Sequence, residues 1–179
     1  GPTAIVNKNF NFDYPGPGRV DVVAVDPNNA NIMYVGTPAG GLWKTTNKGS
    51  SWAPKIDHLA GMGVTDILID PNNTNILYIA TGDRDSGHIS SIGLFKSTDA
   101  GETWVATGLT FTLSEDEYIR DIAFAPGSST TIFALTNTEI KKSTDSGASW
   151  TNSTVTYPYD PFTERFQTIV FDPNDANKV

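Results

Sequence analysis

A near-continuous apolar run halted by proline recurs four times along the 179 residues. Val20-Asp21-Val22-Val23-Ala24-Val25-Asp26-Pro27 aligns with Val64-Thr65-Asp66-Ile67-Leu68-Ile69-Asp70-Pro71, with Ile119-Arg120-Asp121-Ile122-Ala123-Phe124-Ala125-Pro126 and with Phe166-Gln167-Thr168-Ile169-Val170-Phe171-Asp172-Pro173. About eight residues long and rich in β-branched side chains, each run reads as a strand buried on both faces. After a polar turn a second strand follows, Ile32–Thr37, Ile76–Thr81 or Thr131–Thr136, and then a third, Gly41–Lys44, Gly93–Lys96 or Glu139–Lys142. A tight turn leads into a fourth strand opened by Trp52, Trp104 or Trp150, which stand 52 and 46 residues apart. Four short strands per repeat of that length describe one blade of a β-propeller. Nowhere does a capping residue precede an apolar stripe at i, i+3, i+4 and i+7. The expected fold class is therefore all-β: a partial propeller of four-stranded antiparallel blades, about 18–60, 61–115 and 116–160, with the start of a fourth over 163–179.

Composition narrows the function. Twelve Lys and Arg against twenty Asp and Glu leave a formal charge of −8, which argues against nucleic acid as a partner. Basic residues form no patch, so an anionic membrane surface is disfavoured too. No apolar run reaches the roughly 18 residues of a membrane span. With no cysteine, disulfides, thiol catalysis and cysteine zinc sites are excluded.

The turn between third and fourth strands carries the most specific motif: Ser97-Thr98-Asp99-Ala100-Gly101-Glu102-Thr103-Trp104, Ser143-Thr144-Asp145-Ser146-Gly147-Ala148-Ser149-Trp150 and Thr45-Thr46-Asn47-Lys48-Gly49-Ser50-Ser51-Trp52. An Asx side-chain oxygen can accept backbone N–H bonds across such a turn, and a glycine two residues later supplies a positive φ. Asn47, Asp99 and Asp145 are thus expected to staple turns, with Gly49, Gly101 and Gly147 completing them and Trp52, Trp104 and Trp150 packing beneath the hairpin. The motif resembles the Asp-box, or BNR repeat, of sialidase-like, xyloglucanase-like and sortilin-like propellers. With Gly40-Gly41-Leu42-Trp43-Lys44, the chain looks most like the large secreted bacterial BNR-repeat proteins, which implies an extracellular or cell-surface location.

Blade topology sorts the loops. Third-to-fourth connections end on one rim, and second-to-third and fourth-to-first connections on the other, where lengths vary. Variable loops mark the candidate binding side. The longest second-to-third connection holds Asp83, Arg84, Asp85 and His88, and fourth-to-first connections hold Glu117, Tyr157 and Tyr159. Carboxylates beside aromatic rings suit sugars, because rings stack on apolar pyranose faces and carboxylates accept hydroxyl hydrogens. Asp83, Asp85 and Gly87 only partly match a calcium loop, lacking its third acidic position and distant glutamate. Two histidines provide no zinc cluster. No cofactor is expected, with calcium at this partial loop kept as the alternative.

A sialidase needs three arginines on the substrate carboxylate, and Arg19, Arg84, Arg120 and Arg165 do not reproduce that set. The xyloglucanase resemblance implies an aspartate just before the Gly-Gly pair, where this chain has Pro38, and proline cannot transfer a proton. The reading is a non-catalytic module of a larger secreted protein that binds a glycan or protein partner, with a fragment of a glycoside hydrolase as the alternative. Ala176–Val179 aligns with Ala30–Met33, at the start of a second strand. Further blades or a second chain are accordingly expected to complete the ring, with residues 4–12 as an outer strand of the closing blade.

Overall fold

The computed structural model describes residues 19–57, 59, 63–83, 89–153 and 168–172. Three four-stranded antiparallel sheets follow one another as meanders. The first is β1 (Val22–Val25), β2 (Met33–Thr37), β3 (Gly41–Thr45) and β4 (Ala53–Pro54). β5 (Val64–Ile69), β6 (Leu77–Thr81), β7 (Gly93–Ser97) and β8 (Val105–Thr110) make the second. The third is β9 (Ile119–Phe124), β10 (Ile132–Thr136), β11 (Ile140–Ser143) and β12 (Thr151–Asn152). The only helical element among the described residues is a 3-10 turn at Leu113–Glu115. Each fourth strand starts one residue after its tryptophan, and of the fourth apolar run only a single bridge residue, Asp172, is paired among residues 168–172. The expected outer strand over residues 4–12 lies outside the described residues.

Pairing places alternate residues on opposite faces. Tyr34, Leu42, Val22 and Ala24 of the first sheet meet Ile67, Leu77, Ile79 and Phe95 of the second. Tyr78, Ala80 and Leu94 on the second sheet's other face meet Ile119, Ile122, Ile132 and Ala134 of the third. The third sheet's far face buries Phe133 and Leu135 against Ile169 and Phe171, with the Phe133 and Phe171 rings edge to face at 5.3 Å.

The apolar runs are not uniformly buried on both faces. All five residues of β6 and of β10 are buried, whereas Val23 and Val25 of β1 are 57% and 49% exposed. β6 and β10 sit in mid-sheet between packed faces. The outer face of β1 carries Val23, which lies level with Val35 and Trp43 across the sheet, and no described residue packs on it.

The Trp-closed turns are held by side-chain to backbone hydrogen bonds. Asp99 Oδ1 accepts the N–H groups of Glu102 (3.0 Å) and Thr103 (2.8 Å) and the Ser97 hydroxyl (2.8 Å), while Oδ2 accepts the Thr103 hydroxyl at 2.6 Å. Asp145 repeats this with Ser149 N–H (2.8 Å), Ser149 hydroxyl (2.5 Å) and Ser143 hydroxyl (2.7 Å). Asn47 Oδ1 accepts Ser51 N–H at 2.9 Å. These bonds, the Thr103 and Ser149 hydroxyls foremost, hold Asp99 and Asp145 down at about 2. Their stabilisation is present above the ordinary carboxylate range and is lost as pH falls through about 2.

Gly49, Gly101 and Gly147 have φ of 84°, 85° and 87°, and the residues before them, Lys48, Ala100 and Ser146, are left-handed too, at 56°, 58° and 60°. The double left-handed bend aims a carbonyl at the preceding sheet. The Tyr34 hydroxyl donates to Ala100 O at 2.9 Å and the Tyr78 hydroxyl to Ser146 O at 3.0 Å, so the second and third turns are latched to the sheet before them. Two of the closing tryptophans pack across a junction, Trp104 in the core between first and second sheets and Trp150 against that between second and third.

Candidate functional site

Asp83 follows the end of β6, and across the insert its N–H donates to Ile89 O at 3.0 Å, ahead of β7. Because Leu77 pairs with Ser97 at the other end of the same strands, Asp83 and Asp99 stand on opposite rims, as the blade topology requires. Arg84, Asp85 and His88 of the insert, and Tyr157 and Tyr159, lie outside the described residues.

Three elements bring chemistry to the rim at Asp83. Arg19, just before β1, donates Nε to Asp21 Oδ1 at 2.8 Å and Nη2 to the buried Asp83 carboxylate. Ser91 N–H donates to Glu117 O at 3.2 Å, joining the insert's return to the loop before β9. Glu117 Oε1 accepts the Thr138 hydroxyl at 3.0 Å, and its Oε2 is buried without a hydrogen-bond partner among the described residues. Beside it the Arg120 guanidinium lies 4.9 Å from the Tyr118 ring and donates to that phenol at 2.8 Å. The Asp83 and Glu117 loops therefore meet at one rim. Glu115, by contrast, is spent locally, accepting the Thr112 N–H (2.5 Å) and hydroxyl (2.9 Å).

Two sets of residues absent from the sequence-based site organise this rim. Thr37, Thr81 and Thr136 close the second-to-third connections: their hydroxyls donate to the carbonyls of Gly41 (3.2 Å), Gly93 (2.7 Å) and Glu139 (3.1 Å). Each also accepts an N–H within its loop, from Gly40, Ile92 or Glu139. Their signal was the identical threonine ending all three second strands. Pro38 lies in the first of these turns, whose other residues, Ala39 and Gly40, carry no carboxylate.

The second set is Asp66 and Asp121, at one repeat position of the inner strands. Asp66 accepts N–H bonds from Ile67 and, across the junction, from Ile122, both at 2.8 Å. Asp121 accepts the Thr168 hydroxyl (2.5 Å) and Ile169 N–H (2.6 Å). Inner strands of neighbouring blades are thus tied by carboxylates. Burial, with the hydrogen bond to Asp121, pushes Asp66 up to about 7. Since an unfolded aspartate titrates near 3.9, the folded chain holds an extra proton between the two values. This contribution to stability is full below about 4 and is lost as pH rises through about 7. Asp66→Asn, which keeps an acceptor and needs no proton, is expected to gain thermal stability relative to the wild type as pH rises from 5 to 8. Parallel melting curves for the two proteins across that range would refute the assignment.

Among the described residues no group of three or more His, Asp or Glu side chains is placed to hold a metal ion. No helix there is long and apolar enough to cross a membrane.

Successive four-stranded antiparallel meanders packed face to face place the chain among the β-propeller folds. No protein-family model matches it. In sequence it is 28% identical over 109 residues to a xyloglucanase of Acetivibrio thermocellus, a match covering 51% of this chain and 13% of that enzyme. In structure it is similar to an ancestral GH74 enzyme (25% identity, TM-score 0.63, 88% of this chain and 19% of the other). It is equally similar to the GH74 enzyme of Niastella koreensis (26% identity, TM-score 0.63, 87% and 24%). The chain thus spans less than a quarter of the length of each.

Proposed function

We propose that this chain is an Asp-box propeller module of a secreted protein that binds a plant-type glycan on the rim formed by Asp83, Glu117 and the insert, without cleaving it. The observation carrying this reading is the combination of GH74 likeness with proline at position 38. The turn that the xyloglucanase resemblance would furnish with an aspartate offers no carboxylate. The nearby acids do not replace it, because both Asp21 and Asp83 are engaged by the Arg19 guanidinium. Arg84, Asp85, His88, Tyr157 and Tyr159 belong to the same proposed surface by their loop positions. A second reading, a glycoside hydrolase fragment, rests on the sequence match to the xyloglucanase.

Xyloglucan oligosaccharide added to the purified chain is expected to bind, weakened by Glu117→Gln, and to release no new reducing ends. Hydrolysis that disappears in Asp83→Asn or Glu117→Gln would overturn the non-catalytic reading, and absence of binding the glycan reading.

A further inference from the structure

Two grooves repeat along the outer side of the sheets, each between one sheet's outer strand and the next sheet's Trp-closed turn. The first, about 270 Å³, is lined by Lys44, Thr46, Ser51, Trp52, Ala53, Lys55 and Glu102. The protein fills its polar end with its own carboxylate: Glu102 accepts from Lys55 at 2.7 and 2.8 Å and from Lys44 at 3.3 Å. These lysines, Lys55 foremost, hold Glu102 below the usual carboxylate range.

The second groove, about 230 Å³, uses the same repeat positions. Lys96 stands for Lys44, Thr98 for Thr46, Thr103 for Ser51, Val105 for Ala53 and Thr107 for Lys55. Ala148 stands for Glu102 and Thr107 for Lys55, so the carboxylate of Glu102 and its nearer lysine have no counterpart, while Lys96 keeps the place of Lys44 and Asp145 also lines the groove. The Lys96 ammonium lies 5.4 Å from the Tyr78 ring centre and has no carboxylate partner among the described residues. Asp145 does not supply one, since its oxygens are held by Ser143 and Ser149. The Thr107 hydroxyl accepts from Leu109 N–H at 3.2 Å and keeps its hydrogen to donate, and Val105 offers an apolar wall, 69% exposed.

From this difference between equivalent grooves we propose that the second groove is a binding site for a uronate sugar, whose carboxylate takes the place of Glu102 beside Lys96 while its apolar pyranose face lies on Val105. A cation and a hydroxyl donor bind a carboxylate by charge-assisted hydrogen bonds, and an aliphatic surface removes C–H faces from water. A volume below the roughly 300–1,000 Å³ of drug-sized sites suits one ring. This site lies on the side of the Trp-closed turns and is independent of the rim proposed above.

Titration of the chain with methyl glucuronide, methyl glucoside or N-acetylglutamate, followed by NMR of the Val105 methyls and Thr107 amide, tests it. Saturable shifts with the glucuronide are expected, much weaker ones with the glucoside, and loss of affinity with rising salt. Lys96→Met, which keeps the stem over Tyr78, is expected to weaken binding about tenfold or more. Ala148→Glu at an exposed position is expected to abolish it by installing the internal carboxylate. No saturation by about 10 mM glucuronide, equal affinity for the glucoside, N-acetylglutamate binding as tightly as the glucuronide, or undiminished binding in Ala148→Glu would each overturn the proposal.

Discussion

Trp104→Ala is expected to destabilise the chain by about 3–5 kcal/mol, the usual cost of truncating a core aromatic residue. The indole is 8% exposed and packs with Tyr34, Leu42, Ile67 and Phe95 in the core between the first two sheets. Removing it opens a cavity whose walls are two sheets already fixed by their own hydrogen bonds, so the site collapses poorly. Its Nε1–H has no acceptor among the described residues, unlike that of Trp150, which donates to Gly147 O at 3.0 Å. Trp104→Phe therefore forfeits no hydrogen bond and is expected to cost clearly less than the alanine variant. Urea midpoints of the two variants decide the matter: an unchanged midpoint for Trp104→Ala would mean that the ring does not seal the junction.

The second large effect is expected at Gly93. Its φ of 111° is reached by glycine almost alone, and a Cβ there would stand 2.1 Å from Leu109 O and 2.7 Å from Thr110 Cα. The reason is a register shift between Gly93 and Phe95, where β8 bulges over β7. Backbone strain of about 1–3 kcal/mol adds to an overpacking cost of about 1–3 kcal/mol, so Gly93→Ala is expected to lose about 2–6 kcal/mol. Gly127 separates the two contributions. At φ 71° with nothing within 4 Å of a Cβ, Gly127→Ala is expected to cost only about 1 kcal/mol. Equal losses in the two variants would show that the close approach of β8 contributes nothing.

Much of this architecture was legible in the repeat. The proline-terminated runs and the Asx-to-Gly turn spacing set strand order, turn placement and the opposition of Asp83 to Asp99, because those features act over a few residues through backbone geometry. Burial was less legible. Val23 and Ile67 occupy one repeat position with similar side chains, yet one is largely exposed and the other buried, since burial depends on which sheet lies opposite.

The site divides in the same way. Loop length led to the expectation that acids and aromatic residues share one rim, and of these Asp83 and Glu117 lie among the described residues. No local pattern could show that Arg19 reaches Asp83 across 64 residues, or that Glu117 hides one oxygen. Nor could it show that Asp66 and Asp121 link neighbouring inner strands, or that Lys96 lacks the carboxylate given to Lys44. The sequence by itself determined the repeating unit, because strand periodicity and turn chemistry are short-range. Only the tertiary structure decided which charges are paired, buried or left open, because charge pairing and desolvation depend on distances between sheets that are remote along the chain.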